Sequence, residues 1–186
     1  MTLVAPSMLS ADFLHLEKDV EMVDRYADIF HLDIMDGVFV PNISYGFPVV
    51  EAIAGKASKP MDAHLMIVHP EKYLERFAKV GVDFNPDVPV ESVYPYLDEC
   101  DFVLVMSVFA GFGGQKFIES TYDRIRALKE EILRRGLDVK IEVDGGVSPS
   151  NAAELVEAGA DILVAGSAVF KAQDPSSVIG QLKGIR

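Results

Sequence analysis

Short apolar runs alternate along the chain with amphipathic stretches, and this alternation limits the possible folds more than any other feature. The apolar runs have the length and composition of buried β-strands, and the stretches between them have helical periodicity. Helices are predicted over residues 16–27, 70–81, 120–136 and 148–160. Six strands are predicted, over residues 3–9, 29–35, 60–67, 102–108, 140–146 and 162–169. A strand–helix unit repeated every roughly 25–35 residues predicts a parallel α/β fold, either a doubly wound sheet or a (β/α) barrel.

The composition narrows the class of protein. The 186 residues are 49% hydrophobic and 25% charged, which suits one globular domain over residues 1–186. No apolar run approaches about 18 residues and the first residues show no basic leader, so we expect neither a membrane span nor a signal peptide. The lone cysteine, Cys100, is typical of the reducing cytoplasm. The net charge of −12 disfavours nucleic acid and anionic membranes as partners.

Polar side chains interrupt several predicted strands close to the end at which each strand enters a loop. Because side chains alternate across a strand, the polar groups of each strand share one face. The pairs are His31 with Asp33, Asp62 with His64, and Glu142 with Asp144, and Ser7 interrupts the first strand. Functional groups at the C-terminal ends of several parallel strands are typical of a TIM barrel, whereas a doubly wound sheet gathers them at one switch point. The barrel is therefore the predicted fold.

A predicted metal site combines four of these residues, which are His31, Asp33, His64 and Asp144. Two imidazoles and two carboxylates suit a borderline divalent ion such as Zn²⁺, Mn²⁺ or Fe²⁺, and the spacing does not choose among them. A single buried histidine is more often a hydrogen-bonded core residue than a ligand, but four such groups at one end of three strands favour a metal. His15 and His69 fall in helix-proximal or loop positions and are predicted to lie on the surface.

Glycine-rich turns follow three of the predicted strands, over residues 111–115, 145–146 and 165–168. One such turn is a weak signal, because most are only tight turns. Backbone N–H groups exposed by glycine and by helix N-termini can hold a phosphate without a lysine. Barrels commonly build a phosphate site after their seventh and eighth strands. The three turns therefore predict a phosphate site whose positive field is local within an acidic protein.

The chain resembles the ribulose-phosphate 3-epimerase family in six motifs, which are PSMLSADF, HLDIMDGVFVPN, DAHLMI, GFGGQKF, IEVDGG and VAGSAVF. The resemblance covers residues 3–82 and 84–186. It implies a (β/α)8 TIM barrel of the ribulose-phosphate-binding type. It also implies an isomerase of the pentose phosphate pathway that converts D-ribulose 5-phosphate to D-xylulose 5-phosphate. The implied partner is a small phosphorylated ketose, and we expect a homo-oligomer.

The resemblance also assigns roles to residues. It places the two acid/base groups on Asp33 and Asp144, and it places one divalent metal ion (Zn, Mn, Fe or Co) on His31, Asp33, His64 and Asp144. It assigns substrate contacts to Ser7, His64, Gly111, Phe112, Gly113, Gly114, Gly145, Gly146, Gly166 and Ser167. Three methionines match those that line the family's active site, although the residues alone would predict core packing; they are Met35, Met66 and Met106.

The chain departs from the family at one long gap and at one dipeptide. After Asp83 the family continues with a fourth strand, a helix and a fifth strand, whereas here Phe84 follows directly. Strand 4, helix 4 and most of strand 5 are thus predicted to be missing, which amounts to about thirty residues in a barrel of this type. The edges of the strands at 60–67 and 102–108 are then predicted to be unpaired. The dipeptide Phe109-Ala110 replaces the family's Asn-Pro or Glu-Pro before the glycine turn.

Three alternatives stay open at this point. The first is a 3-epimerase of a related ketose phosphate, such as allulose 6-phosphate. The second is a phosphate-binding barrel of another reaction type, a decarboxylase or aldolase-like synthase, which is disfavoured because HLDIMDG lacks the strand-borne lysine of those relatives. The third is a catalytically impaired barrel, because a chain with this gap is expected to be weakly stable and prone to associate.

Overall fold

The computed structural model describes residues 2–73 and 82–185. The strands of these residues are β1 (Leu3–Ala5), β2 (Phe30–Met35), β3 (Met61–Met66), β4 (Val82–Phe84), β5 (Phe102–Met106), β6 (Lys140–Asp144) and β7 (Ile162–Val164). The α-helices are α1 (Leu16–Tyr26), α2 (Phe47–Ala54), α3 (Thr121–Arg135), α4 (Ala152–Ala158), α5 (Ser167–Phe170) and α6 (Pro175–Lys183). None of these helices is both long and apolar enough to cross a membrane.

The strand order is that of a barrel with one open place. Five strands form a parallel sheet in the order β1-β7-β6-β5-β4, and β2 pairs in parallel with β3. An isolated parallel bridge between Ser7 and His31 joins the two sheets. The strands around the barrel therefore follow the order β3-β2-β1-β7-β6-β5-β4. Within residues 2–73 and 82–185 no strand pairing connects β3 with β4 to close it. The open place lies where the sequence lacks the family's fourth strand.

Three sequence predictions about the strands need correction. The first strand ends at Ala5, and Met8–Ser10 form a 3-10 turn, so Ser7 lies beyond the strand rather than inside it. The last strand ends at Val164, because the chain turns at Gly166 into α5. The edge of 102–108 is not unpaired, since the short strand β4 covers it. Within residues 2–73 and 82–185, the unpaired edges are that of β3, which was predicted, and that of β4.

Of the predicted helices, those at 16–27, 120–136 and 148–160 are confirmed as α1, α3 and α4. The helix predicted at 70–81 begins as a 3-10 turn over Pro70–Lys72. The greater part of that prediction, residues 74–81, lies outside the described residues.

Strand side chains alternate between two apolar layers, and this alternation aims the polar groups inward. In β5, Val103 and Val105 belong to the large core between the sheet and the helices, which includes Ile125 of α3. Leu104 and Met106 point to the opposite face and form a separate cluster. The polar residues of β2, β3 and β6 share that interior face.

Candidate active site

The strand register stacks the buried polar residues in two layers. His31 lies opposite Asp62 and, two residues further on, Asp33 lies opposite His64. The same two-residue step separates Glu142 from Asp144 on β6. The first layer holds His31, Asp62 and Glu142, and the second holds Asp33, His64 and Asp144. Because every second side chain of a strand points to the same face, the three pairs of polar residues form two stacked clusters.

Asp33 is the centre of the second layer. Its Oδ2 accepts a hydrogen bond of 2.5 Å from Ser7 Oγ, and its Oδ1 lies 3.1 Å from His64 Nδ1. The same Oδ1 lies 3.4 Å from His31 Nε2. Ser44, which the sequence analysis missed, donates 2.6 Å to the Asp33 carbonyl and holds the end of β2 in place. Asp33 is thereby fixed from several elements at once.

The four predicted ligands come together as a group that could hold a metal. One donor atom from each of His31, Asp33, His64 and Asp144 lies within 4.8 Å of the others. The Nε2 of His31 is buried and lacks a hydrogen bond to any described residue, and it lies 3.4 Å from Asp33 Oδ1. Buried polar atoms rarely go unsatisfied, so an unpartnered nitrogen beside the other donors fits a cation among them. The residues present therefore suit one divalent ion.

The first layer forms a second group of charges beneath that site. His31 Nδ1 lies 3.0 Å from Asp62 Oδ1 and 3.4 Å from Glu142 Oε1, and all three side chains are buried. The alternation of side chains predicted the strand faces of Asp62 and Glu142, but neither residue was assigned a role. Carboxylates at the far nitrogen of a metal-binding histidine set its tautomer and its orientation. Asp62 and Glu142 are therefore placed to orient His31.

The charges of the two layers move the pKa values of their carboxyl groups in opposite directions. Burial alone would raise the pKa of Asp33, but the imidazoles of His31 and His64 outweigh it and hold that pKa far below its ordinary value. Burial and the charge of Asp33 raise the pKa of Asp144 to about 6. Burial and the charge of Asp62 raise the pKa of Glu142 to about 8. Environments that give carboxyl groups such different pKa values are typical of acid/base sites.

Burial would lower the pKa of both histidines, but nearby carboxylates prevail. Asp62 and Asp33 raise the pKa of His31 well above its ordinary value. The nearby carboxylates of Asp33 and Asp83 raise the pKa of His64 to about 10. His15 and His69, by contrast, have exposed side chains, as predicted. The metal-free site is therefore a network of buried ion pairs.

One cleft above the second layer gathers the predicted substrate contacts and methionines. Its lining includes Ser7, Asp33, Met35, His64, Met66, Met106, Gly111, Phe112, Gly113, Gly114, Asp144, Gly145, Gly146, Gly166 and Ser167. His31 lies deeper, and Met35, Met66 and Met106 serve both as buried packing and as cleft wall. No lysine is among the described residues that line the cleft.

Three amide side chains that sequence analysis did not single out hold the glycine loop over the cleft. Asn42 Nδ2 donates 2.9 Å to the Gly111 carbonyl, and Asn85 Oδ1 accepts from the Ala110 N–H at 3.2 Å. Gln115 Nε2 donates to the carbonyls of Phe109 and Phe112 at 2.6 and 2.8 Å. The contacts of Asn42 and Asn85 come from segments distant in the chain, which is why no local pattern could reveal them.

Two glycines are required where the backbone turns beneath the cleft. Gly145 has φ +117°, and a Cβ there would lie 2.5 Å from Val108 Cγ2. A Cβ on Gly166 would lie 2.6 Å from Ser10 Oγ. A side chain at either position would displace its neighbours or narrow the cleft.

Solved structures similar to this chain are TIM-barrel enzymes that bear little sequence identity to it. A mutant tryptophan synthase alpha-subunit from Pyrococcus furiosus has a TM-score of 0.68 at 17% identity, over 98% of both chains. Orotidine 5'-phosphate decarboxylase from Pyrococcus horikoshii has a TM-score of 0.67 at 12% identity, over 98% of this chain and 100% of that one. At such identities the likeness shows the fold alone, and it confirms the predicted barrel class.

Similar curated proteins are much closer in sequence. Ribulose-phosphate 3-epimerase from Synechocystis sp. is 43% identical over 212 residues, covering 97% of this chain and 92% of that protein. The enzyme of the same name from Bacillus subtilis is 40% identical over 215 residues, covering 99% of both. The chloroplastic ribulose-5-phosphate-3-epimerase of Arabidopsis thaliana is 41% identical over 216 residues, covering 99% and 76%.

These alignments are longer than the 186 residues of this chain, so the relatives carry residues opposite a gap in it. The model of the "Ribulose-phosphate 3 epimerase family" matches in two pieces, over residues 3–83 and 77–170. The family pattern is thus interrupted where sequence analysis placed the gap. With both pieces matched, and with the predicted acid, base and metal-binding residues gathered in one cluster, the chain belongs to the ribulose-phosphate 3-epimerase family.

Proposed function

We propose that this chain inverts C3 of D-ribulose 5-phosphate to give D-xylulose 5-phosphate. The observation that carries the proposal is the convergence of Asp33 and Asp144 in one cleft, with their donor atoms in a single cluster. Inversion beside a ketone needs one group that removes the C3 proton and a second that returns a proton to the opposite face. Two carboxylates from opposite sides of a barrel satisfy that need, and relatives at about 40% identity bear the name of this activity.

The protonation states of the two carboxylates match these roles. Asp33, whose pKa is depressed by His31 and His64, is ionised and can take the C3 proton. Asp144, whose pKa is raised to about 6 by burial and Asp33, is the group that can carry a proton for the other face. The reverse reaction exchanges the two roles, and the proton count balances without a further reactant.

One divalent ion would be held by four side chains, which are those of His31, Asp33, His64 and Asp144. Their two nitrogen and two oxygen donors suit Zn, Mn, Fe or Co. When bound, such an ion supplies Lewis-acid stabilisation of the negative charge that develops on the substrate's oxygen atoms. Ser7 keeps Asp33 oriented through its hydrogen bond of 2.5 Å.

The phosphate of the ketose is proposed to bind on backbone amides of Gly146, Gly166 and Ser167, beneath the loop of Gly111–Gly114. These residues line the same cleft as the two aspartates. Backbone N–H groups of this kind give a local positive field that a chain of net charge −12 otherwise lacks. The acidic composition and lone cysteine support a cytoplasmic location and disfavour nucleic acid and membranes as partners.

The test is turnover of D-ribulose 5-phosphate in D₂O by metal-loaded protein. We expect D-xylulose 5-phosphate that carries deuterium at C3, because the returned proton comes from a group in exchange with solvent. D-allulose 6-phosphate, assayed in parallel, should react with a lower kcat/KM. Absence of both exchange and product with metal-loaded, folded protein would refute the proposal. Faster turnover of the allulose phosphate would assign the chain to the hexulose substrate instead.

A further inference from the structure

His64 has one ring nitrogen that the proposed metal site does not use. Its Nδ1 lies 3.1 Å from Asp33 Oδ1, the same oxygen that His31 Nε2 approaches at 3.4 Å. A metal ion bound among these three side chains would therefore be ligated by His64 through Nδ1. A neutral imidazole that gives one nitrogen to a metal carries its proton on the other. His64 Nε2 is buried and would need an acceptor for that proton.

Asp83 is the carboxylate at that position. Its Oδ2 lies 3.5 Å from His64 Nε2, which is an ion-pair distance that does not yet meet hydrogen-bond geometry. The His64 side chain is 1% exposed and the Asp83 side chain 43% exposed. Asp83 thus reaches from the open place in the barrel towards the buried face of the ring.

The short strand β4 places Asp83 there. Phe84 lies in the large core on the outer face of the sheet, with the Arg124 guanidinium 4.4 Å from its ring centroid. Because side chains alternate, Asp83 must point to the inner face, opposite Leu104 on β5. No pairing joins β3 and β4 in the described residues, so no strand backbone stands between Asp83 and His64. The Asp83 carboxylate therefore occupies the space between β3 and β4, where the sequence lacks a strand of the family.

We propose that Asp83 is a positioning residue, which accepts the Nε2 proton of His64 and so presents Nδ1 to the metal. The inference rests on the metal site of the proposed function. Outer carboxylates of this type fix the tautomer and the orientation of a ligating histidine and strengthen the metal site through it.

The first test measures Zn²⁺ affinity by chelator competition in the complete chain. Asp83→Ala should weaken binding about 10- to 100-fold, the usual cost of losing such a carboxylate. Asp83→Glu keeps a carboxylate and should recover most of the affinity. Asp101→Ala is the matched control, because Asp101 is exposed and precedes β5 at the opposite end of the strands from the site; it should bind Zn²⁺ as the unmodified protein does.

The second test reads the histidine tautomer directly. Long-range ¹⁵N–¹H spectra of the Zn²⁺-loaded protein should show His64 protonated at Nε2, with a proton that exchanges slowly. In Asp83→Ala that proton should exchange faster, and in Asp101→Ala it should not. A purely structural contribution of Asp83 would change the free energy of unfolding without changing this signal.

Separate outcomes distinguish the two claims. An unmodified protein that binds no Zn²⁺ would overturn the metal site and with it the role of Asp83. Zn²⁺ binding that is equal in the unmodified protein and in Asp83→Ala would overturn the role of Asp83 alone. Equal losses in Asp83→Ala and Asp83→Glu would show that the carboxylate is not responsible, which also overturns that role.

Discussion

At the residue scale, the site shifts the pKa values of two chemically identical groups in opposite directions. Asp33 lies between two imidazoles and stays ionised, whereas Asp144 is buried beside the charge of Asp33 and its pKa is raised to about 6. Neither difference comes from the residue type. It arises because the strand register brings both histidines to Asp33 and leaves Asp144 with a like charge as its neighbour.

Asp33→Asn and Asp144→Asn should each lower kcat by about 10²- to 10⁴-fold, because each removes one of the two groups that transfer protons. Exchange of the C3 proton with D₂O should fall along with epimerisation. Asp138→Asn is the control, since Asp138 is a surface residue whose side chain is 95% exposed. Near-normal turnover in either active-site variant, with normal exchange, would contradict the two-base assignment.

Gly166→Val should raise the KM for the phosphorylated ketose at least about tenfold, the cost of one lost hydrogen bond to a charged group. A Cβ at this position already meets Ser10 Oγ at 2.6 Å, so a branched side chain must intrude on the proposed phosphate site. Metal content, measured by elemental analysis, should stay the same. Gly180→Val on α6, where a Cβ meets nothing within 4 Å, is the matched control. An unchanged KM would rule out this placement of the phosphate.

The metal-free protein should lose stability as the pH rises, because of Glu142. Its pKa is raised by burial and by Asp62 from an ordinary 4.5 to about 8. Between those values the folded state keeps a proton that the unfolded state has lost. The free energy of unfolding therefore falls as the pH rises from about 5 to 8, by up to about 1.4 kcal/mol per pH unit. His64, with a pKa raised by carboxylates to about 10, acts in the same direction at higher pH.

Glu142→Gln isolates that contribution, because glutamine has the shape of the protonated acid and does not titrate. Urea unfolding in the presence of a chelator should show a flatter dependence on pH between 5 and 8 than in the unmodified protein. Identical slopes for the two proteins would show that Glu142 is not protonated in the folded state.

At the element scale, the three-residue strand β4 depends on α3 for its position. Arg124 of α3 donates to the carbonyls of Asn85 and Met106 at 2.7 and 2.8 Å and to that of Phe84 at 3.4 Å. Its guanidinium also stacks on the Phe84 ring at 4.4 Å. One planar cation therefore joins the helix, β4 and β5, and so compensates for the pairing that β4 lacks on its open edge.

Arg124→Met should lower the free energy of unfolding by about 2–4 kcal/mol, because it leaves half-buried carbonyl groups without their charged donor. Amide hydrogen exchange should rise most at Val82–Phe84. Arg126→Met is the matched control on the same helix, since the contacts of Arg126 with the described residues are an exposed ion pair and a distant ring contact. An equal effect of both substitutions would contradict the special role of Arg124.

At the scale of the whole molecule, the part of the barrel that the structure describes has two open edges, one on β3 and one on β4. Open edges present unpaired N–H and C=O groups and favour association with another chain. Closure of a barrel links the number of strands to their tilt and shear. A barrel that lacks a strand therefore positions its active-site residues less precisely and also leaves strand edges unpaired. These are general costs, and here they fall on strands that carry His64 and Asp83.

A polypeptide with a mass of 20.4 kDa should therefore associate in a concentration-dependent way and turn over slowly. Light scattering after size exclusion, together with intact mass, measures this. Inserting between Asp83 and Phe84 the residues that the Bacillus subtilis relative carries opposite the gap should reduce association and raise kcat. A Gly/Ser insert of equal length is the control. A stable, monodisperse and fully active protein of 20.4 kDa would contradict the prediction.

The sequence alone predicted the barrel class, which is confirmed, and it named four metal-binding candidates and the cleft residues, whose roles stay predictions. Strand alternation is a local property with an exact period, so it assigns His31, Asp33, His64 and Asp144 to inner faces without any knowledge of contacts. The same local rule failed where strands end, because the chain turns at Ser7 and Gly166 for reasons of packing rather than pattern. It also could not show that β4 covers the edge of β5.

Only the tertiary structure decided how these residues act on one another. The opposite pKa shifts of Asp33 and Asp144, the placement of Asp62 and Glu142 beneath His31, and the approach of Asp83 to His64 all join strands that are far apart in the chain. Local periodicity determines which face a side chain takes. The electrostatic field and the hydrogen-bond partners at that face depend on residues of other strands. Those residues come close only when the sheet curls into a barrel.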